Sequence, residues 1–302
     1  MNFINIKKGT LIVSLMLVFT LIITACSGGS SKANKIVVGG KDYTEQDILV
    51  HLVSEFIEGN TDLEVDRKPF LGGSNVVTTA QFSGDVDIMI DYTGTGLMSV
   101  LKQEVEGDSN HVYRTVKEEY DEKYDVIWLE PLGFNNTYAL TMREDMAEEL
   151  GIETTSDLKD HAGKFSFASN QEFSEREDGL DAMAKEYDIE FKDIKNMDQG
   201  LTYTSLEEGL VDVSVSYTTD GRIPAFNLRV LEDDKSFFPP YDSAILVRND
   251  TLEKYEGLEE VLSKLGGQIS QEEMARMNSL VDLEKQDPQK VAKDWLTEKG
   301  LI

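Results

Sequence analysis

Short β-branched runs, each stopped by glycines or a turn and followed by a segment with apolar residues at helical spacing, recur along this chain and confine it to an α/β architecture. The first run, Lys35-Ile36-Val37-Val38-Gly39-Gly40, reads as a buried strand. Thr44-Glu45-Gln46 then opens a helix, with Thr44 as its expected N-cap and Ile48, Leu49, Leu52, Val53, Phe56 and Ile57 as its apolar face. A strand over 63–67, a helix over Ser74–Ser83 and a strand over 86–90 follow, so βαβ units and a mostly parallel sheet are expected. The pattern resumes with strands at 126–129, 138–142 and 165–168, a helical segment opened by 157–161, and strands at 211–217 and 244–247. From Leu252 onward the chain reads as helical, with Leu258, Val261, Leu262 and Leu265 on one face. This order fits two α/β lobes with chain crossings near residues 136 and 241: lobe 1 from 35–136 and 241–302, lobe 2 from 137–240.

Ahead of the first strand, Lys7 and Lys8 precede an uncharged apolar stretch over 9–25, the n-region and h-region of an export signal. The stretch ends in Ile23-Thr24-Ala25-Cys26, which resembles the lipobox cut before a cysteine that becomes lipidated. A short transmembrane anchor is the competing reading of such a run. The small residue before Cys26 and the Ser27-Gly28-Gly29-Ser30-Ser31 segment after it favour cleavage and lipidation. The expectation is a signal peptide over 1–25, a tether over 26–34 and a protein anchored through Cys26 to the outer face of the cell membrane. Cys26 is the only cysteine, so the mature domain has no disulfide and depends on its core for stability.

Acidic residues number 57 against 29 basic ones, a formal charge of −28, and loss of the two leader lysines takes the mature chain to about −30. Such a field excludes the basic footprint that nucleic acid requires. Traces of catalysis are missing as well. His51, His111 and His161 form no metal-spaced cluster, and His51 falls on the first helix as a packed or solvated residue. Gly72-Gly73-Ser74 before a helix offers an anion site at a helix N-terminus, but it lacks the lysine and spacing of a P-loop and reads first as a turn. Neither an enzyme class nor a cofactor is indicated.

What the chain does carry is tyrosine at strand ends. Tyr92 follows Ile88-Met89-Ile90-Asp91, Tyr217 follows Val215-Ser216, Tyr241 follows Phe237-Phe238-Pro239-Pro240, and Tyr138 lies just past the expected first crossing in Asn135-Asn136-Thr137-Tyr138. Ligands of open α/β sheets bind beyond the carboxyl ends of the strands, so these rings can converge on one cleft. Several converging ring faces suit a cation without N–H groups, each contact contributing about 0.5–2 kcal/mol. Taken singly, each tyrosine of the eleven in the chain also reads as a core or rim residue.

Five segments carry a resemblance that decides between these readings: Gly39-Gly40-Lys41-Asp42-Tyr43-Thr44-Glu45-Gln46, Leu71-Gly72-Gly73-Ser74-Asn75, Asp91-Tyr92-Thr93-Gly94-Thr95, Tyr217-Thr218-Thr219-Asp220-Gly221-Arg222 and Phe237-Phe238-Pro239-Pro240-Tyr241-Asp242. In order and over nearly the whole mature chain, they resemble the glycine betaine/carnitine/choline-binding proteins of osmoprotectant ABC importers. The resemblance implies a type II periplasmic-binding-protein fold of two lobes that close on the ligand. It also implies a partnership with membrane permease subunits and their cytoplasmic ATPase. By it, Tyr92, Tyr138, Tyr217 and Tyr241 match the aromatic cage around the trimethylammonium head. Lys41, Thr95 and Arg176 match positions for the other end of the substrate, and Asn136 is a further candidate beside the hinge. The acidic neighbours of Arg176 offer the alternative of a surface ion pair. Thr95, where members narrow for choline carry Asp, together with Lys41 and Arg176 implies a carboxylated solute such as glycine betaine or carnitine ahead of choline. Ser214-Val215-Ser216 departs from the commoner pattern, with an expected effect on ligand fit in the second lobe. A binding protein of similar fold for an amino acid, a surface enzyme acting on choline-like esters or amines, and a purely structural surface lipoprotein are the rival readings.

Overall fold

The computed structural model describes residues 35–104 and 108–302; the expected leader, Cys26 and the tether lie outside these residues. Residues 36–302 form one compact unit. In the first lobe the chain lays down β1 (Lys35–Gly39), α1 (Thr44–Asn60), β2 (Glu64–Lys68), α2 (Ser74–Ser83), β3 (Ile88–Tyr92), a π-helical turn (Thr95–Val100), α3 (Ser109–Tyr124) and β4 (Val126–Trp128). The second lobe holds β5 (Tyr138–Arg143), α4 (Glu144–Leu150), β6 (Ser166–Ser169), α5 (Gln171–Glu175), α6 (Leu180–Tyr187), β7 (Asp193–Asn196), α7 (Gln199–Glu207), β8 (Val213–Tyr217), α8 (Arg222–Ala225) and β9 (Leu228–Val230). Then β10 (Ser243–Arg248), α9 (Asn249–Lys254), α10 (Leu258–Ser263), α11 (Gln271–Asp282) and α12 (Pro288–Glu298) complete the first lobe.

The strands form two five-stranded sheets, ordered β2-β1-β3-β10-β4 and β7-β6-β8-β5-β9. The chain therefore passes between sheets twice, after β4 and after β9. The passing segments lie side by side: Asn135 bridges Asp242, the Asn136 amide donates to the Tyr241 carbonyl at 3.0 Å, and the Thr93 amide donates to the Asp242 carbonyl at 3.0 Å.

The expectation of a mostly parallel sheet is corrected. β1 pairs with β3, and β6 with β7 and β8, in parallel, whereas β10 is antiparallel to β3 and β4, and β5 to β8 and β9. The reason lies in the crossings. β10 begins at Ser243 opposite Tyr92, the last residue of β3, and β5 begins at Tyr138 opposite Tyr217, the last residue of β8. A strand that starts where its neighbour ends must run against it.

The N-cap expectation is corrected too. Tyr43, with extended backbone at φ −148 and ψ 161, precedes α1, and Thr44 is already helical. The Thr44 hydroxyl instead donates to Asp282 Oδ1 of α11 at 2.7 Å, a tertiary acceptor that replaces the local capping role.

The two central strands, β3 and β8, are buried at every residue, which is why both read as continuous runs instead of alternating ones. Against the first sheet pack the buried Ile48, Leu49, Leu52, Val53, Phe56 and Ile57 of α1, joined by Val291, Trp295 and Leu296 of α12. Each such side chain contributes about 1.5–3 kcal/mol on burial. Among the described residues no helix is long and apolar enough to cross a membrane.

Candidate functional site

The carboxyl ends of β1, β3 and β8, both crossings and the N-termini of α1 and α5 face a cleft of about 650 Å³. Its aromatic wall follows from strand register. Pairing Tyr138 opposite Tyr217 brings their ring centroids to 5.3 Å, and Tyr241 meets Tyr138 edge-on at 5.6 Å and 88°. Tyr43, from the turn between β1 and α1, stacks on Tyr217 at 5.1 Å. Its hydroxyl donates to that of Tyr92 at 3.0 Å, so Tyr92 joins the same wall. Burial pushes the phenols of Tyr43, Tyr92, Tyr138, Tyr217 and Tyr241 upward, which keeps them neutral and protonated around pH 7. Close approach of the second crossing requires Gly94, because a β-carbon there would stand 2.7 Å from Pro239 and 2.8 Å from the Tyr241 ring.

Of the residues expected from sequence, Lys41, Tyr92, Thr95, Asn136, Tyr138, Tyr217 and Tyr241 all line this cleft. Lys41 is 4% exposed; its Nζ donates to Asp91 Oδ1 at 2.6 Å and lies 5.2 Å from the Tyr92 centroid. Arg176 is not among the lining residues. Its guanidinium forks onto Asp178, reaches Glu172 and the Thr95 hydroxyl at 3.4 Å, and lies 5.7 Å from the Tyr138 ring centroid. It thus braces Thr95 and Tyr138 while its charge is shared by two carboxylates. Ser214 and Ser216 do not line the cleft either; both are fully buried in the second sheet, where Ser216 bonds the Thr141 hydroxyl at 2.6 Å and Ser214 its own sheet's Val215 carbonyl at 2.9 Å.

Three groups were not anticipated. Tyr43 is one, although it stands inside a segment already singled out and follows the carboxyl end of β1. Glu45, in the first turn of α1, accepts hydrogen bonds from Tyr92, Asn136, Thr219 and Asn278. Glu172 is the third: the N-terminus of α2 at Ser74 does hold an anion, but it is this side chain of the opposite lobe, bonded by the Ser74 amide at 2.9 Å and hydroxyl at 2.6 Å. Gly73 leaves room for this contact, since a β-carbon there would fall 2.4 Å from Glu172 Oε2 and displace the carboxylate from Ser74. The lobes also meet through Arg222 and Asp282 at 2.8 Å and Lys102 and Glu177 at 2.6 Å.

Residues 34–298 match the model of the substrate-binding domain of ABC-type glycine betaine transport systems. The chain belongs to this family. The carnitine transport binding protein OpuCC of Listeria monocytogenes is 39% identical over 288 residues, covering 93% of each chain. A glycine-betaine-binding protein of Pseudomonas aeruginosa is 38% identical over 293 residues, covering 92% of this chain and 93% of the relative. A solved structure described as a glycine betaine/carnitine/choline ABC transporter superposes with a TM-score of 0.73 at 31% identity, covering 88% of this chain and 99% of that one. Like other members of this substrate-binding family, the chain has two lobes with the cleft between them.

In this family member the Glu172 contact has a defined pH dependence. Burial raises the Glu172 carboxyl, but Lys41, Arg176 and the two bonds from Ser74 outweigh it and hold the group below its ordinary value. A depressed carboxyl stabilises above its unfolded value, about 4.3, and loses that contribution as pH falls through the folded value. The bond between lobes is therefore complete at pH 7 and is lost only as pH falls below the ordinary carboxylate range, through the depressed folded value. Glu172→Gln is expected to weaken ligand binding by about tenfold at pH 7, in line with one charged hydrogen bond worth about 1.5 kcal/mol. Calorimetric affinities at pH 7 check this: equal affinities of the variant and the parent would remove the role given to Glu172.

Proposed function

We propose that this protein captures a quaternary-ammonium osmoprotectant, glycine betaine or carnitine ahead of choline, between its lobes and delivers it to the permease subunits of an ABC importer, without a catalytic step. The observation that carries this reading is the convergence of Tyr92, Tyr138, Tyr217 and Tyr241, with Tyr43, on one cleft. A trimethylammonium head has no N–H to satisfy, so ring faces substitute for its weak hydration. Lys41 supports a carboxylate at the other end: its ammonium has three donors and spends one on Asp91 at the cleft wall. Thr95 and Asn136 complete the polar side, and Arg176 acts by holding Thr95.

Lobe 1 comprises 35–136 and 241–302 and lobe 2 comprises 137–240, with the ligand favouring closure through contacts available only when both are in reach. The leader pattern and Cys26 support export and a lipid anchor on the outer face of the membrane, where the importer's permease takes the ligand and its cytoplasmic ATPase supplies the energy. The names of the Listeria and Pseudomonas relatives support the substrate class.

Calorimetric titration of the mature domain with glycine betaine, carnitine, choline and an uncharged amino acid tests the proposal. Heat is expected for the two carboxylated betaines, less affinity for choline and none for the amino acid. Tighter binding of choline than of both others would remove the role given to Lys41, and binding of the amino acid alone would replace the reading.

A further inference from the structure

Glu45 stands out from every other buried carboxylate of the cleft by its partners. It is 2% exposed, lines the cleft, and accepts from Tyr92 Oη at 2.6 Å, Asn136 Nδ2 at 2.8 Å, Thr219 Oγ1 at 2.5 Å and Asn278 Nδ2 at 3.0 Å. All four donors are neutral. By contrast, Asp91 has Lys41, Asp178 and Glu172 share Arg176, and Asp220 and Asp282 share Arg222. Transfer of a carboxylate from water into such a site without a cation is among the largest penalties a fold can carry.

A second observation points the same way. The amide groups of Asn136 and Asn278, 5% and 3% exposed, give their N–H groups to Glu45, and both residues line the cleft. Their Oδ1 atoms are buried without a hydrogen-bond partner. The carboxylate is thus flanked by two carbonyl dipoles whose negative ends are unmatched, beside the stacked rings of Tyr43 and Tyr217. Negative charge, negative dipole ends and ring faces converge, and among the described residues no Lys or Arg forms an ion pair with Glu45.

We infer that the Glu45 carboxylate is the counter-charge of the bound quaternary nitrogen, a specificity-determining group that the tyrosine cage alone does not supply. It rests on the reading that the ligand carries such a nitrogen. Because Thr219 belongs to the second lobe and Asn278 to the first, the same group ties ligand charge to lobe contact. Burial raises the Glu45 carboxyl above its ordinary range, against the pull of its four hydrogen bonds. A cation beside it favours the ionised form, so binding and deprotonation are linked. The ionisable groups on the elements packed around it are Tyr43 before α1, Asp47 and His51 within α1, Tyr92 of β3, Asp220 and Arg222 beyond β8, and Asp282 of α11.

The test titrates the mature domain and its Glu45→Gln variant with glycine betaine, carnitine and choline between pH 7 and pH 4. For each solute that binds the parent, affinity is expected to fall at least twentyfold in the variant at pH 7. The parent's affinity is expected to decline towards pH 4 and the variant's to decline less. A variant within threefold of the parent at pH 7, or one with the parent's pH profile unchanged, overturns the inference. Should the variant fail to fold by circular dichroism, the Glu172→Gln protein decides: an affinity for choline that is flat from pH 7 to pH 4 in it overturns the inference, and a decline that persists in it supports the inference. If none of the three solutes binds the parent, the quaternary-ammonium reading itself fails, and this inference with it.

Discussion

Tyr138→Ala is expected to weaken solute binding by about a hundredfold and to cost roughly 3 kcal/mol of folding stability. Tyr138 is the hub of the aromatic wall, with ring centroids of Phe173, Tyr217, Tyr241 and Phe238 at 4.9, 5.3, 5.6 and 5.9 Å. Its truncation removes one desolvated cation–π face, about 2 kcal/mol, and the edge that holds Tyr241, about another 0.5–1.5 kcal/mol. Tenfold per 1.4 kcal/mol then gives the hundredfold figure. The stability loss comes from the cavity left beside Phe173, which is itself fully buried. Tyr138→Phe keeps the ring and is expected to retain affinity within about fivefold. Calorimetry and urea unfolding measure the two effects separately. Equal losses in the alanine and phenylalanine variants would shift the role from ring face to hydroxyl.

Asp91→Asn is expected to destabilise the protein by about 3–5 kcal/mol, the usual cost of breaking one partner of a buried ion pair. Asp91 sits on β3, the middle strand of the first sheet, with no solvent exposure, and takes Lys41 Nζ at 2.6 Å and the Tyr92 amide at 2.8 Å. An asparagine can still accept from the amide but leaves a buried ammonium at the cleft wall without a counter-ion. Adding Lys41→Met removes that ammonium, and the double variant is expected to regain much of the loss in urea unfolding while binding carboxylated solutes more weakly than the parent. Additive losses would mean that the two side chains do not act as a pair.

How far the sequence reached can be followed residue by residue. β1, α2 and β8 were legible because apolar runs bounded by glycine or by a helix-starting serine carry their own period. β7 was not, because Asp193–Asn196 is an exposed edge strand with no apolar pattern to report it. Of the four tyrosines singled out, Tyr92 and Tyr217 were legible as strand-end residues and Tyr138 and Tyr241 by their place at the crossings, and resemblance to a family raised all four above the other tyrosines. Tyr43 and Glu45 lay in a quoted motif but had no signal of their own, since a tyrosine before a helix and a glutamate in its first turn are ordinary helix-start residues.

The N-terminal leader pattern, the alternation of strand and helix, and the lack of metal or nucleophile spacing follow from composition and local period, which act within a few residues of one another. Tertiary structure alone decided the antiparallel strands at the crossings, because strand direction depends on where a distant neighbour ends. It also decided the charge state of the site. Lys41 and Arg176 read in the sequence as ligand-binding cations, with a surface ion pair as the alternative for Arg176, yet Asp91, Asp178 and Glu172 meet them in buried pairs, while Glu45 meets only neutral donors from residues 47 to 233 positions away. Burial and pairing are properties of neighbours in space, and a linear pattern does not contain them.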